Sequence, residues 1–205
     1  FELSGMLPIQ RLRSIPAIAA VALLILLPGC SARTPLPLPA DVPPGPGVPV
    51  RVDLDRFMGD WWVVGHIPTG VESNAAAAIE SYQRCADGTI DIRYTFCDGV
   101  DATELTELRM SAWVHDEETN AEWRVRPFWP LRLAYVIDEL APDYSYTVIT
   151  HPSRRWAWIM AREPVLDPEV FDAVVTRLHA RGFDTDALRR VPPTGRCRPA
   201  PEEAR

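Results

Sequence analysis

From residue 61 onward the chain alternates apolar and polar positions in short runs that turn residues interrupt. Residues 61–67 form the first run, and Pro68 stops it. Residues 77–84 and 89–96 follow, joined at Asp87-Gly88, a dipeptide that favours a two-residue hairpin turn. In the second of these, Ile90, Ile92, Tyr94 and Phe96 alternate with Asp91, Arg93 and Thr95, so one face is buried and the other wet. Leu108, Met110, Ala112 and Val114 repeat the pattern against Arg109 and Ser111, and Trp123 and Val125 against Glu122, Arg124 and Arg126. Runs at 135–140, 144–150 and 155–161 complete a set of eight. Eight consecutive short strands at close spacing predict an all-β protein, an eight-stranded antiparallel up-and-down barrel. The period changes at Asp167-Pro168-Glu169, which combines an N-cap, a proline at the first helical position and an early acid. Val170, Phe171, Val174, Val175 and Leu178 then share one face until Gly182, predicting one C-terminal α-helix packed outside the barrel.

The N-terminal part has a different pattern. Residues 15–27 are an unbroken apolar run of thirteen, shorter than the ~20 that cross a bilayer comfortably. Arg11 and Arg13 precede it, and Leu27-Pro28-Gly29-Cys30 follows, which resembles the bacterial lipoprotein box. On that reading residues 1–29 are an export signal and Cys30 is the lipidated first residue of the mature chain. A plain secretory signal with an incidental cysteine, or a truncated membrane helix, is the alternative. Ser31 in place of aspartate favours the outer membrane by the same analogy, with the folded domain on the periplasmic side. Residues 30–52 read as lipidated cysteine plus tether, because seven prolines fall between positions 35 and 49. The proline-rich stretch 35–49 is extended at ~3.1 Å per residue, roughly 45 Å in all. Residues 53–191 are left as the folded domain and 192–205 as a tail.

Charge and composition narrow the function. The 205 residues carry a net charge of −7, and all 21 basic residues are arginine. Removing Arg11, Arg13 and Glu2 with the signal leaves −8. That balance argues against nucleic acid as a partner, and it leaves membrane attachment to the lipid. Without lysine, Schiff-base and phosphate-loop lysine chemistry are excluded. His66, His115, His151 and His179 stand apart, with no metal-ligand spacing and no nucleophile motif. The acidic groups at 115–118 and at Asp98, Asp101 and Glu104 read as solvated turns. The expectation is a protein that is not an enzyme and uses no metal and no cofactor.

Three ordered blocks resemble the lipocalin family, in its bacterial outer-membrane group similar to apolipoprotein D. Gly59-Asp60-Trp61 resembles the Gly-x-Trp signature that opens lipocalin barrels. Tyr135-Val-Ile-Asp-Glu-Leu with Asp143-Tyr144 resembles the middle block, and Trp158-Ile-Met-Ala-Arg162-Glu-Pro164 the last strand. The resemblance spans residues 53–191. It implies that Trp61 plugs the closed end with Arg162 across its indole, as structural residues beside Gly59. It further implies a cup that stores or transports a fatty acid or lysophospholipid, and it allows a homodimer. Envelope scaffolding by a filled barrel, and a lipid-acting barrel enzyme, are the competing readings.

If Arg162 points inward, the two-residue period carries Met160, Trp158 and Trp156 with it. Val63, Ile92, Tyr94, Met110, Ala112, Trp123, Val125, Phe128 and Tyr135 are the inward candidates elsewhere, each equally readable as plain core. Small residues such as Ala112 and Gly65 would leave room for an acyl chain. Glu80 shares a face with Ala78 and Tyr82, so it is either paired or solvated at the mouth, or it addresses a head group.

Apart from Cys30, three cysteines remain, so at most one internal bridge can form. With Asp87-Gly88 as turn centre, paired numbers sum to 175, so Cys85 faces Ile90 and Cys97 faces Ala78. At ~3.4 Å per residue, Cys85 and Cys97 lie roughly 24 Å apart, beyond bridging range. Three separate thiols remain an option. The likeness to apolipoprotein D, where a tail cysteine bridges to the start of the second strand, implies Cys97–Cys197.

Overall fold

The computed structural model describes residues 51–198. The expected export signal, Cys30 and the tether as far as residue 50 lie outside the described residues, as do residues 199–205. The chain enters through a one-turn helix α1 (Leu54–Phe57) and then runs through eight strands. These are β1 (Gly59–Ile67), β2 (Ala75–Arg84), β3 (Ile90–Asp98), β4 (Leu105–Val114), β5 (Glu122–Arg126), β6 (Leu133–Leu140), β7 (Tyr146–Thr150) and β8 (Ala157–Ala161). Helix α2 (Pro168–Ala180), a 3-10 turn (Thr185–Ala187) and a two-residue strand β9 (Arg189–Arg190) follow. Each strand pairs antiparallel with the next, and β1 also pairs with β8, which closes the ring. All eight expected strands and the helix are present. The stretch before Gly59 is α1, capped by Asp53, whose carboxylate accepts from the Asp55 and Arg56 amides.

The β2–β3 turn is one residue longer than expected. Cys85 pairs with Thr89 around Ala86-Asp87-Gly88, and paired numbers sum to 174 rather than 175. Gly88 has φ +85°, while Asp87 is not in the left-handed region and accepts from the Thr89 amide and hydroxyl. One left-handed glycine at the end of a three-residue loop gives this hairpin, whereas a two-residue type I′ turn needs two such residues. A second irregularity, between Ala76 and Ile79, lowers the sum by one more to 173, so Cys97 pairs with Ala76, not Ala78.

Bulges decide which residues face out. In β1, Met160 pairs with Val63 and the adjacent Ile159 with Gly65, so Val64 and Gly65 both turn to the outer face. In β6, Ile137 and Glu139 pair with adjacent residues of β7, which turns Asp138 and Glu139 outward. Both bulges lie under α2. Phe171 covers Gly65, where a Cβ would stand 2.7 Å from its ring, so no larger residue fits without shifting that ring or the helix that carries it. The Arg177 guanidinium donates to Glu139, with Nε at 3.0 Å, and Arg181 pairs with Asp138. Phe171, Val174 and Leu178 bury the apolar face of α2 against Trp62, Val64, Val148 and Ile159. Asp167 caps the helix start and Gly182, at φ +82°, ends it.

The C-terminal segment is part of the barrel. β1 pairs with β2 through Trp62 and then leaves it, and β9 takes over at Gly65 and His66. The Val191 amide donates to Val64 O, and the Ala77 amide to Pro192 O, so residues 189–192 fill the seam between the splayed strands. Cys197 is bonded to Cys97, with Cα atoms 5.7 Å apart across a separation of 100 residues. In the chain-entropy view, closing a loop of that length stabilises by up to ~4.7 kcal/mol. Cys85 is exposed and free. Residues past 191 thus belong to the folded unit, and so does Val52, which is fully buried and hydrogen-bonded to Thr119.

Gly65→Ala should destabilise the domain by about 1–3 kcal/mol through overpacking against Phe171. Denaturant unfolding reads it, and Phe171→Leu in the same chain should recover part of the loss. Equal stability of Gly65→Ala and the parent would show that α2 is not seated on this glycine.

Candidate functional site

The barrel has a sealed end and an open end. At the sealed end, the guanidinium of Arg162 lies 3.8 Å above the Trp61 ring. It also donates to the carbonyls of Asp60 at 2.8 Å, Arg56 at 2.6 Å and Phe57 at 3.2 Å, the last two at the C-terminus of α1. The Trp61 indole donates to Phe57 O at 2.8 Å. Gly59, at φ +91°, turns the chain from α1 into β1 beneath Arg162. A cation–π contact of this kind, with the guanidinium half-buried, contributes about 1 kcal/mol. Phe57, Tyr82, Trp123 and Tyr135 stack edge and face above this base.

Above it the inner wall is set by register. Ile92 pairs with Met110, Tyr94 with Leu108, and Ala112 with Val125, so all of these share the inner face. Trp123 pairs with Tyr135, Met160 with Val63, and Trp158 with His66. Trp123, Ala112 and Met160 are fully buried in the lower cup, whereas Leu108, Met110, Tyr135 and Trp158 keep part of their surface accessible.

Two expected wall residues and one spacer are placed elsewhere. Phe128 is 66% exposed in the β5–β6 loop, where the chain has left the strand and the two-residue period no longer applies. Trp156 precedes β8 and packs its ring on His151 at 5.0 Å, outside the inner cluster. Gly65 faces α2 rather than the cup, because of the β1 bulge.

Polar groups also enter the cup. Glu80 faces inward and is buried, accepting from the Tyr82 hydroxyl, which also bonds to that of Tyr135. Burial pushes the Glu80 carboxyl up to about 7, against the pull of the Tyr82 hydrogen bond. The β1–β2 loop brings in Glu72, whose Oε1 accepts from Trp158 Nε1 at 3.1 Å and from the Thr69 hydroxyl at 3.1 Å. His66 lies 3.9 Å from the same oxygen, and burial lowers its pKa. Sequence reasoning missed both residues. Alternation from Trp61 and Val63 points His66 outward, and a loop glutamate carries no periodic signal at all.

The model of a lipocalin-like domain matches residues 52–193. An outer membrane lipoprotein Blc of Vibrio cholerae is 26% identical over 176 residues, covering 84% of this chain and 95% of that protein. Temperature-induced lipocalin-1 of Arabidopsis thaliana is 24% identical over 147 residues, covering 69% of this chain and 79% of its own length. Among solved structures, insecticyanin from the tobacco hornworm Manduca sexta superposes with a TM-score of 0.52 at 18% identity. That match covers 75% of this chain and 97% of insecticyanin, and it shows a shared fold.

A carboxyl raised from 4.5 to about 7 binds more protons folded than unfolded, so its contribution to stability is complete below pH 4.5 and lost as pH rises through 7. Glu80→Gln should remove that loss. Relative to the parent, the variant should gain about 3 kcal/mol in unfolding free energy between pH 4.5 and pH 8. Denaturant titrations of both proteins at the two pH values measure the difference. Parallel pH profiles would mean that Glu80 is not held protonated by the fold.

Proposed function

This chain belongs to the lipocalin-like family, and from that premise we propose that it takes up a small hydrophobic ligand, a fatty acid or lysophospholipid, in the upper cup. The observation that carries the proposal is the half-buried state of Leu108, Met110 and Trp158, above the level at which Tyr135 stacks on Trp123. They face inward from two different strands, yet the protein's own side chains do not cover them completely. An alkyl chain laid against them removes apolar surface from water at about 25 cal/mol per Å². Val63, Ile92, Tyr94 and Val125 form the wall around that space, and Ala112, Trp123 and Met160 its floor. Exposed Val71, Val100 and Trp129, at the ends of strands opposite the Arg162 base, give the mouth an apolar rim that suits ligand entering from a lipid phase.

The lower cup is filled by Trp61, Phe57 and Trp123, so a ligand occupies the upper half only. This is binding chemistry rather than catalysis, for storage or transport. Attachment to the outer membrane through lipid on Cys30, with the domain in the periplasm, is part of the same proposal. Relatives named as outer membrane lipoproteins support it.

Residues 51–198 produced alone should change tryptophan emission on titration with a long-chain fatty acid, saturating near one ligand per chain. Trp158→Phe should remove most of that change. A flat titration of the parent domain would instead favour the filled-barrel, scaffolding role. Cys30→Ser in the full chain should move the protein from the membrane to the soluble fraction. Retention of that variant would point to the apolar segment at 15–27 as an uncleaved anchor.

A further inference from the structure

A hydrocarbon chain needs no polar wall, yet one side of the cup carries His66, Glu72, Glu80 and Tyr94, all buried. Two of their atoms are unsatisfied. His66 Nδ1 and Tyr94 Oη make no hydrogen bond of ordinary geometry among the described residues, Glu72 being the acceptor that the Tyr94 hydroxyl faces, although the two residues are only 1% and 2% exposed. A buried polar group left without a partner costs roughly 1–3 kcal/mol. Two such groups on one wall of a binding cup mark the place of a polar ligand atom.

Glu72 relates the two to each other. Its Oε1 lies 3.9 Å from His66 Nδ1 and accepts from Trp158 Nε1, while its charge, with that of Glu80, acts on the Tyr94 hydroxyl. The residues come from β1, the β1–β2 loop and β3, brought together by the β1 bulge that turns His66 inward.

Charge then selects the ligand head. A carboxylate placed here would face the Glu72 carboxylate, with the buried Glu80 carboxyl beside it. The cation at the cup's base, Arg162, is already held by three carbonyls and the Trp61 ring. Arg189, whose charge reaches His66, is exposed on β9. A primary ammonium has three N–H donors and a positive charge. The site offers it three acceptors: the Glu72 carboxylate, the imidazole nitrogen of His66 and the phenolic oxygen of Tyr94.

We propose that Glu72, His66 and Tyr94 form a head-group subsite in the upper cup that seats a primary ammonium carried on an alkyl chain, in preference to a carboxylate. This rests on the reading that the cup holds a hydrophobic ligand, and it names the head that such a ligand carries.

The test titrates the full chain, held in a nonionic detergent, separately with dodecylamine, laurate and methyl laurate, following tryptophan emission. Dodecylamine should bind about ten-fold more tightly than laurate, the size expected of one charge-assisted hydrogen bond. Glu72→Gln and Tyr94→Phe, both close in shape to the parent residues, should each bring that ratio to within about two-fold. Methyl laurate should bind all three proteins alike, which shows that the cup is intact in the variants. A preference for the amine that survives both substitutions would be adsorption to the acidic surface, and would overturn the proposal. Equal binding of amine and laurate by the parent would overturn it too, leaving a buried water as the partner of the two atoms. If methyl laurate fails to bind the parent, the ligand-binding reading of the cup falls, and the subsite with it.

Discussion

The contact between Arg162 and Trp61 is the one on which the rest of the cup depends. A barrel of eight strands has two open ends, and a ligand cup needs one of them sealed. Arg162, just after β8, reaches under the first strand and donates to three carbonyl oxygens of a one-turn helix and its neighbour, one of which, Phe57 O, it shares with the Trp61 indole. The cation answers the negative end of α1, and its flat face lies on the indole. One side chain thereby joins β1, β8 and the entry helix. Lysine has a single ammonium and no planar face, so it offers neither the stack nor the fixed fan of donors.

Departures from regular pairing build everything outside the sealed end. Two bulges, in β1 and β6, each turn a pair of successive residues outward, and together they make the seat of α2. One supplies the flat ground of Gly65 under Phe171, the other the carboxylates that Arg177 and Arg181 hold. The same β1 bulge has an inward consequence. It returns His66 to the cup one residue later than alternation would, opposite Trp158 and beside Glu72. Helix docking on the outside and polar character on the inside are two results of a single inserted residue.

The seam between β1 and β2 shows a similar economy of parts. Past Trp62 the two strands separate, which would leave unpaired backbone groups on both. Residues 189–192 satisfy them, and Val191 contributes to the inner core. Cys97–Cys197 and the guanidinium of Arg198, on Ala77 O and Thr95 Oγ1, then hold the tail against the upper part of β2 and β3. The C-terminal segment is a structural member of the wall around the mouth.

The resemblance to lipocalins implied the Gly59, Trp61 and Arg162 triad at the base; taken alone, the sequence determined the number of strands, their order, and the helix and its caps. These are legible because a two-residue period, a turn dipeptide and an N-cap are local signals that survive without knowledge of neighbours. Most of the inner wall, from Ile92 and Met110 to Trp158 and Met160, followed from the same period. Tertiary structure decided the remainder. Hairpin register depended on whether one or two residues of the turn take positive φ, and only Gly88 does. The facing of Gly65 and His66 depended on a bulge, which inverts every assignment beyond it and is stabilised by a helix more than 100 residues away. Phe128 and Trp156 lie beyond the strand ends, where period 2 has no meaning. Glu72 entered the cup from a loop, where position is set by the partners a side chain finds and not by any repeat along the chain.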